Sequence, residues 1–242
     1  MTPRFFLAQS LDCGSEVILP EALTHHVRVL RLNVGASLTL FNGNGGEYSA
    51  RLCALGKRTA YVQIQDFSPR EVELPFQLIL AQAVAGGDKM DWLIEKAVEL
   101  GVFAIQPLHT VRCVVRLDGE RARRRLAHWQ ALARAACEQC GRNRVPDIYP
   151  LRSLDEWLAQ PSQTQGILLS PTGEAVFSLV VKGMGQQAMT LLVGPEGGLS
   201  DEEETRAQLR GFIPAQLGQR ILRCETAGLV AIAAAATIWG DF

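Results

Sequence analysis

Two hydrophobic periodicities divide this chain. Up to about residue 70, apolar and polar positions alternate in short runs. Ser37 to Phe41, Tyr48 to Leu55 and Thr59 to Ile64 read as strands. Asn42-Gly43-Asn44-Gly45-Gly46 is a hairpin-type turn and Gly56-Lys57 a second one. Glu21 to Leu32 reads as a helix, and Phe67 through Pro75 as a linker. From Phe76 the pattern changes to alternating strands and helices. Gln77 to Val84, Ala104 to Leu108, Gly166 to Leu169, Thr190 to Val193 and Phe212 to Ala215 are strand-like. Asp88 caps a helix from Lys89 to Leu100 that stops at Gly101, and Glu120 to Cys140 forms a long helix closed by Gly141. Ser153 with Glu156 opens a short helix by a capping box. This alternation predicts a mostly parallel α/β sheet behind a small β-rich unit, with domains at 1–70 and 74–242.

The stretch Val193-Gly194-Pro195-Glu196-Gly197-Gly198-Leu199-Ser200-Asp201-Glu202-Glu203 stands out. It follows the apolar run Met189 to Val193 and precedes a helix start, with Ser200 and Glu203 forming another capping box. A glycine turn between a strand and a helix N-terminus is where small ligands bind in open α/β sheets. It is equally a tight connection and nothing more. Leu217-Gly218-Gln219-Arg220-Ile221-Leu222-Arg223-Cys224-Glu225-Thr226-Ala227-Gly228 repeats the design and runs into an alanine-rich helix ending near Trp239. Thr226 or Glu225 can cap that helix. Two such loops can wall one pocket.

Composition adds three constraints. With 48% hydrophobic and 20% charged residues, the chain is of ordinary globular type. The stretch Leu229 to Trp239 is too short to span a membrane, and Met1-Thr2-Pro3-Arg4 carries no signal-peptide pattern, so a cytoplasmic location is expected. Of the six cysteines, Cys137 and Cys140 form one CxxC, but no second pair completes a metal site, so no metal is expected. The formal net charge of −1 predicts no nucleic-acid partner by itself. From Thr110 to Arg152, however, ten arginines face four acids. Arginine forks onto phosphate and stacks on bases, which suits an RNA face; a solvated helix in an arginine-biased chain with only four lysines reads the same way.

The GPEGG-LSDEE stretch, followed by Leu217-Gly218, Arg220-Ile221-Leu222-Arg223 and Glu225-Thr226-Ala227, resembles the signature of the 16S ribosomal RNA uridine-N3 methyltransferases, the RsmE family of the SPOUT trefoil-knot superfamily. Arg4-Phe5-Phe6, His26 to Arg31 with Gly35, Lys89 to Val102 and Glu138-Gln139-Cys140-Gly141-Arg142 resemble the same family in order; Cys140 departs from an expected small polar residue. The resemblance implies a PUA-like β-barrel at the N-terminus and a SPOUT α/β-knot domain, with residues 166–242 in the knot.

It implies S-adenosylmethionine as cofactor, held by Leu169-Ser170-Pro171, by Gly194-Pro195-Glu196-Gly197, and by Leu217, Gly218, Ile221, Leu222, Arg223, Thr226 and Ala227. It implies 16S rRNA within the small ribosomal subunit as partner, with Arg4, His26, Arg31, Arg112 and Arg142 as RNA contacts, and a homodimer. Methyl transfer to uridine N3 requires loss of a proton and stabilisation of charge on the flanking carbonyl oxygens. Arg223 and Arg142 are candidates for the second task, Glu225 and Glu138 for the first; each can equally be a structural ion pair, and Glu225 an N-cap. Lys89, Lys96 and Glu95 read as surface pairing, and Trp92 and Trp129 as core or dimer contacts. Two other functions stay open: a SPOUT ribose 2′-O-methyltransferase, which Leu222-Arg223-Cys224-Glu225-Thr226 disfavours in place of a serine-leucine-asparagine ending, and a non-catalytic RNA-binding assembly factor.

Overall fold

The computed structural model describes residues 2–161 and 164–240; residue 1 and residues 241–242, at the outer ends of the two expected domains, lie outside the described residues. The chain divides into two compact units, Met1–Glu73 with Cys137–Val145, and Leu74–Ala136 with Pro146–Phe242.

The first unit contains strands β1 (Arg4–Phe6) and β2 (Glu16–Leu19), helix α1 (Glu21–Val29), and strands β3 (Ser37–Phe41), β4 (Glu47–Leu55) and β5 (Ala60–Ser68). The five strands form one sheet in the order β1-β3-β4-β5-β2, with β1 parallel to β3 and the other pairs antiparallel. Alternation puts Leu38, Leu40, Ala50, Leu52, Val62 and Ile64 into one apolar cluster with Phe5 and Val27. Helix α1 ends earlier than the apolar pattern suggests, because Arg31 adopts a left-handed φ of 54° and reverses the chain. The expected linker is not free. Phe67 and Ser68 extend β5, where the Phe67 ring packs 5.0 Å from that of Tyr48. Beyond them Arg70 donates to Glu47 (3.0 Å) and to the Gly141 carbonyl (3.1 Å), and Glu71 accepts from the Gly46 amide (2.8 Å).

The second unit runs β6 (Leu78–Ala83), α2 (Lys89–Glu99), β7 (Ala104–His109), α3 (Gly119–Cys140, whose last turn belongs to the first unit), β8 (Asp147–Ile148), β9 (Arg152–Ser153), α4 (Leu154–Leu158), β10 (Gln165–Leu169), β11 (Ala175–Val176), α5 (Phe177–Met184), β12 (Met189–Val193), α6 (Asp201–Leu209), β13 (Phe212–Gln216) and α7 (Cys224–Trp239). The described pairings are all parallel, in the order β11-β13-β10-β12-β6-β7-β8, with β9 also on β7. Every residue of β12 is buried, as expected of a central parallel strand covered on both faces. Strand β10 lies between β12 and β13; the chain leaving β10 runs to β11 on the β13 side, and the chain leaving β12 skips β10 to reach β13. In open parallel sheets ligands bind outside the carboxyl ends of the strands.

Both capping boxes form. Ser153 Oγ and Ser200 Oγ accept from the amides of Glu156 and Glu203, whose carboxylates accept from the serine amides in return. Two expected caps do not form. Asp88 makes no side-chain cap to α2. Helix α7 starts at Cys224 with Arg223 at the N-cap position, so Glu225 and Thr226 lie inside its first turn rather than capping it. Helix α7 packs on β6, β12, α2 and α5. Gly228 permits its close approach to β6: a Cβ there would stand 3.1 Å from Leu80 Cδ1. Trp129 is buried and donates its indole N–H to Asp91 (3.0 Å), whereas Trp92 is 46% exposed. Among the described residues no helix is long and apolar enough to cross a membrane.

Candidate functional site: a three-loop pocket at the carboxyl ends of β10, β12 and β13

Three loops enclose a cavity of about 310 Å³, of the size that takes a small molecule. They are Leu169–Pro171 after β10, Val193–Leu199 after β12, and the stretch from Ala215 to Cys224 between β13 and α7. The lining is mainly apolar, from Leu169, Pro171, Val193, Leu199, Leu217 and Leu222, with Glu196, Glu204, Arg220 and Arg223 as charged groups. Each loop is held by the backbone. The Ser170 amide donates to the Ala215 carbonyl (3.1 Å), tying the first loop to β13. The Gly198 amide donates to the Pro195 carbonyl (2.9 Å), with Gly198 at a left-handed φ of 70°. A Cβ on Gly194 would meet the Leu199 backbone nitrogen at 3.0 Å, so any side chain there would push the turn outward.

The glycine turn is also clamped by the segment after β7. Arg112 donates to the carbonyls of Gly197 (3.2 Å) and Leu199 (2.9 Å). Glu203, buried, accepts from the Val111 amide (2.8 Å) as well as from its own capping partner. Glu196 accepts from the Gly86 amide (3.0 Å) and from Lys89 Nζ (2.9 Å). Burial alone would raise the Glu196 carboxyl; the Lys89 ammonium and the backbone donors outweigh it and hold the group below its ordinary value. Burial pushes Glu204 up, against a hydrogen bond from Ser170. Burial likewise pushes the Cys224 thiol up to about 12, an inert thiol that donates to Glu225 (3.3 Å).

Of the residues expected to hold a cofactor, Leu169, Ser170, Pro171, Gly194, Pro195, Glu196, Leu217, Gly218, Ile221, Leu222, Arg223 and Ala227 line this cavity. Gly197 and Thr226 are not among its lining residues. A Gly197 Cβ would face Arg112 at 3.3 Å, and the Thr226 amide donates to the Arg223 carbonyl at the start of α7. Val193, Gly198, Leu199, Arg220 and Cys224, which lie within the two stretches singled out in the sequence, also line the cavity, and so do Glu204 and Ala215, which the sequence reading did not mark as part of a site. Glu204 lies one helical turn beyond the glycine turn, and only the fold aims it inward.

The four expected catalytic residues fall in two different units. Arg223 lines the cavity and Glu225, 9% exposed, lies in the adjoining turn of α7. Arg142 and Glu138 belong to the first unit. Arg142 is 3% exposed and forks onto Glu73, with Nε 3.2 and 3.0 Å from the two carboxylate oxygens. Glu138 accepts from the Phe6 amide (2.8 Å). Of the expected RNA contacts, Arg4 pairs with Glu47 and donates to Asn143 (2.6 Å), Arg112 clamps the glycine turn, and Arg142 is buried. His26 and Arg31 are exposed. Lys89 does not make the surface pairing expected of it: it reaches Glu196 and stands 4.0 Å from Glu225, whereas Lys96 pairs along α2 with Glu95 and Glu99. Among the described residues no group of three or more His, Cys, Asp or Glu is arranged to hold a metal ion.

A five-stranded β unit is joined in one chain to a parallel sheet whose glycine turns wall a cavity, an α/β architecture. Residues 72–236 match the family described as RNA methyltransferase domain, and residues 19–65 that described as RNA methyltransferase PUA domain. The Ribosomal RNA small subunit methyltransferase E of Bacillus subtilis is 32% identical over 90% of this chain and 88% of its own. That of Synechocystis is 32% identical over 96% of this chain and 77% of its own. The crystal structure of the Neisseria gonorrhoeae Ribosomal RNA small subunit methyltransferase E, bound to S-adenosylmethionine, is 41% identical, superposes with a TM-score of 0.93 and covers 100% of both chains. A Legionella pneumophila protein solved in complex with the same cofactor is 33% identical, with a TM-score of 0.92 and 98% of each chain covered. This chain belongs to the family of the ribosomal RNA small subunit methyltransferases E.

Proposed function

We propose that the protein transfers a methyl group from S-adenosylmethionine to N3 of a uridine in the 16S RNA of the small ribosomal subunit. The observation that carries the reading is the three-loop cavity at the carboxyl ends of β10, β12 and β13, in a fold that superposes along its whole length on a cofactor-bound relative. The cavity's composition suits this cofactor. Leu169, Leu217 and Leu222 offer an apolar slot for adenine, and Glu196 an ionised acceptor for ribose hydroxyls. Gly194 lets a ligand come close to the backbone.

When bound, S-adenosylmethionine supplies the electrophilic methyl, so this chain's residues mainly orient and deprotonate the acceptor. Glu225, near-buried at the positive end of α7, accepts the N3 proton directly or through water. Arg223, exposed beside it at the N-cap position, stabilises the charge that spreads to the uracil carbonyl oxygens. The apolar walls exclude water from the reacting atoms. Arg142 and Glu138, engaged elsewhere, support the first unit instead, and RNA contacts fall to exposed groups such as His26 and Arg31. The protein works as a homodimer in the cytoplasm, with the exposed apolar side chains of Trp92 on α2 and Val230 on α7 available to a second copy.

Small ribosomal subunits lacking N3-methyluridine, incubated with the protein and labelled S-adenosylmethionine and then digested to nucleosides, test the reading by mass spectrometry. N3-methyluridine is the expected product. A ribose-methylated nucleoside would replace the reading with a 2′-O-methyltransferase, and RNA binding without label would replace it with an assembly factor. Sedimentation of the protein at micromolar concentration as a monomer would remove the dimer.

A further inference from the structure

One cation stands outside the cavity yet touches its chemistry. Lys89 opens α2, and no motif argument marks it apart from its neighbours. Its ammonium lies 2.9 Å from Oε1 of Glu196, which lines the cavity, and 4.0 Å from Oε1 of Glu225, which is 9% exposed in the first turn of α7. The same Glu196 oxygen takes the Gly86 amide at 3.0 Å. Among the described residues Lys89 is the only cationic group within 4.0 Å of either carboxylate. Cys224, also facing Lys89 from α7, stays a neutral thiol. The nearby acid on α2, Asp91, is engaged by Arg125 (3.6 Å) and His128 (2.7 Å) of α3.

Two carboxylates from different elements therefore share one ammonium. Without it neither carboxylate would keep a cation within 4.0 Å among the described residues, and the glycine turn would lose its tie to α2. Glu196 would also lose the ammonium that holds its carboxyl below its ordinary value against burial.

We infer that Lys89 is the positioning residue of this site: it bridges Glu196 on the glycine turn to Glu225 on α7 and so sets the charge and the geometry of the cavity's edge. The inference rests on the proposed function for the roles of the two carboxylates. It does not require Lys89 to touch cofactor or RNA. It assigns to α2, which contributes no lining residue, a direct part in cofactor affinity.

The test uses the full chain with Lys89→Met and Lys89→Arg. S-adenosylmethionine affinity is measured by titration calorimetry from about pH 5 to about pH 9, bracketing neutral pH, where both carboxylates are ordinarily ionised, with thermal unfolding alongside. Lys89→Met is expected to weaken binding about tenfold at neutral pH, as for loss of a charge-assisted hydrogen bond. The loss should deepen toward acid as Glu196 protonates, and Lys89→Arg should recover most of it. Wild-type affinity and pH profile in Lys89→Met would overturn the inference. So would a loss matched by a lower melting temperature with no change in pH profile, which would leave Lys89 a plain structural ion pair.

A second readout needs no ligand. Carbon-13 NMR of glutamate carboxyls, with Glu196 assigned through Glu196→Gln, should show its titration moving upward in Lys89→Met; an unmoved titration overturns the inference. If the wild-type chain bound no S-adenosylmethionine, the proposed function would fall, and the NMR titration would still decide the role of Lys89.

Discussion

Single side chains in this protein serve two partners at once, and that doubling sets what a substitution does. Glu203 closes its capping box and also accepts the Val111 amide, while Glu156 closes an otherwise similar box on an exposed helix. Removing Glu203 strands the buried Ser200 amide and the part-buried Val111 amide, so Glu203→Ala is expected to cost about 2 kcal/mol, against about 1 kcal/mol or less for Glu156→Ala. Denaturant midpoints of the two variants check the difference. Arg112 holds two carbonyls of the glycine turn. Arg112→Ala should weaken cofactor binding about tenfold with little change in melting temperature, read by calorimetry. Glu204 gives a pH signature. Burial raises its carboxyl, so its charge penalises the native state at neutral pH, and the penalty disappears as pH falls below the ordinary 4.5. Glu204→Gln should therefore raise the denaturation midpoint near neutral pH and leave it unchanged in acid, since glutamine still accepts from Ser170.

At the scale of elements, α7 decides how closely the cavity can be built. Its alanines and Gly228 bring it onto β6 and β12, and its first turn carries Cys224 and Glu225 to the cavity's edge. A Cβ at Gly228 would already crowd Leu80 at 3.1 Å. Gly228→Val should therefore destabilise by about 1–3 kcal/mol through overpacking and displace the turn that bears Glu225. Thermal unfolding together with cofactor affinity measures both effects, and Gly228→Ala should give a smaller version of each. Strand β12 was plain in the sequence because a strand buried on both faces must be apolar throughout. Helix α5 and strand β2 were not: eight and four residues are too few for a period to stand out from noise. Asp88 does stand at the N-cap of α2, but its backbone angles (φ −85°, ψ 1°) lie outside the extended region in which a side chain caps, and Thr226 falls inside α7; a cap depends on such local angles, which residue types alone do not fix.

At the scale of the whole chain, the first unit is completed by residues far along the sequence. Phe6, Arg4, Arg70 and Glu73 find partners in Glu138, Asn143, Gly141 and Arg142. A fragment ending at Glu73 keeps the sheet but leaves those groups unpaired, including a carboxylate that was forked by a buried arginine. Such a fragment is expected to unfold at a markedly lower denaturant concentration than the same unit in the full chain, followed by hydrogen exchange at the Phe6 amide. The arginine-rich stretch illustrates the same point. Much of its charge is spent on internal partners, with Arg142 on Glu73, Arg144 on Glu71, Arg125 on Asp91 and Arg123 and Arg124 on Glu120.

Local chemistry made part of this protein legible from its residues alone. Apolar runs, alternation, serine-to-glutamate capping pairs and glycine turns act within a few residues of themselves, so the sequence by itself determined the parallel sheet, both capping boxes and two of the cavity's three loops, while the Leu169–Pro171 loop followed only from the family resemblance. Side-chain partnership is not local. Whether Arg4 or Arg142 pairs with a carboxylate distant in the chain, whether Lys89 pairs along its own helix or with Glu196 about a hundred residues away, and whether Glu204 faces solvent or a cavity all depend on which elements the fold brings together. Only the tertiary structure decided those, because charge and hydrogen-bond energies are set by distance in space, and a one-dimensional pattern carries no such distance.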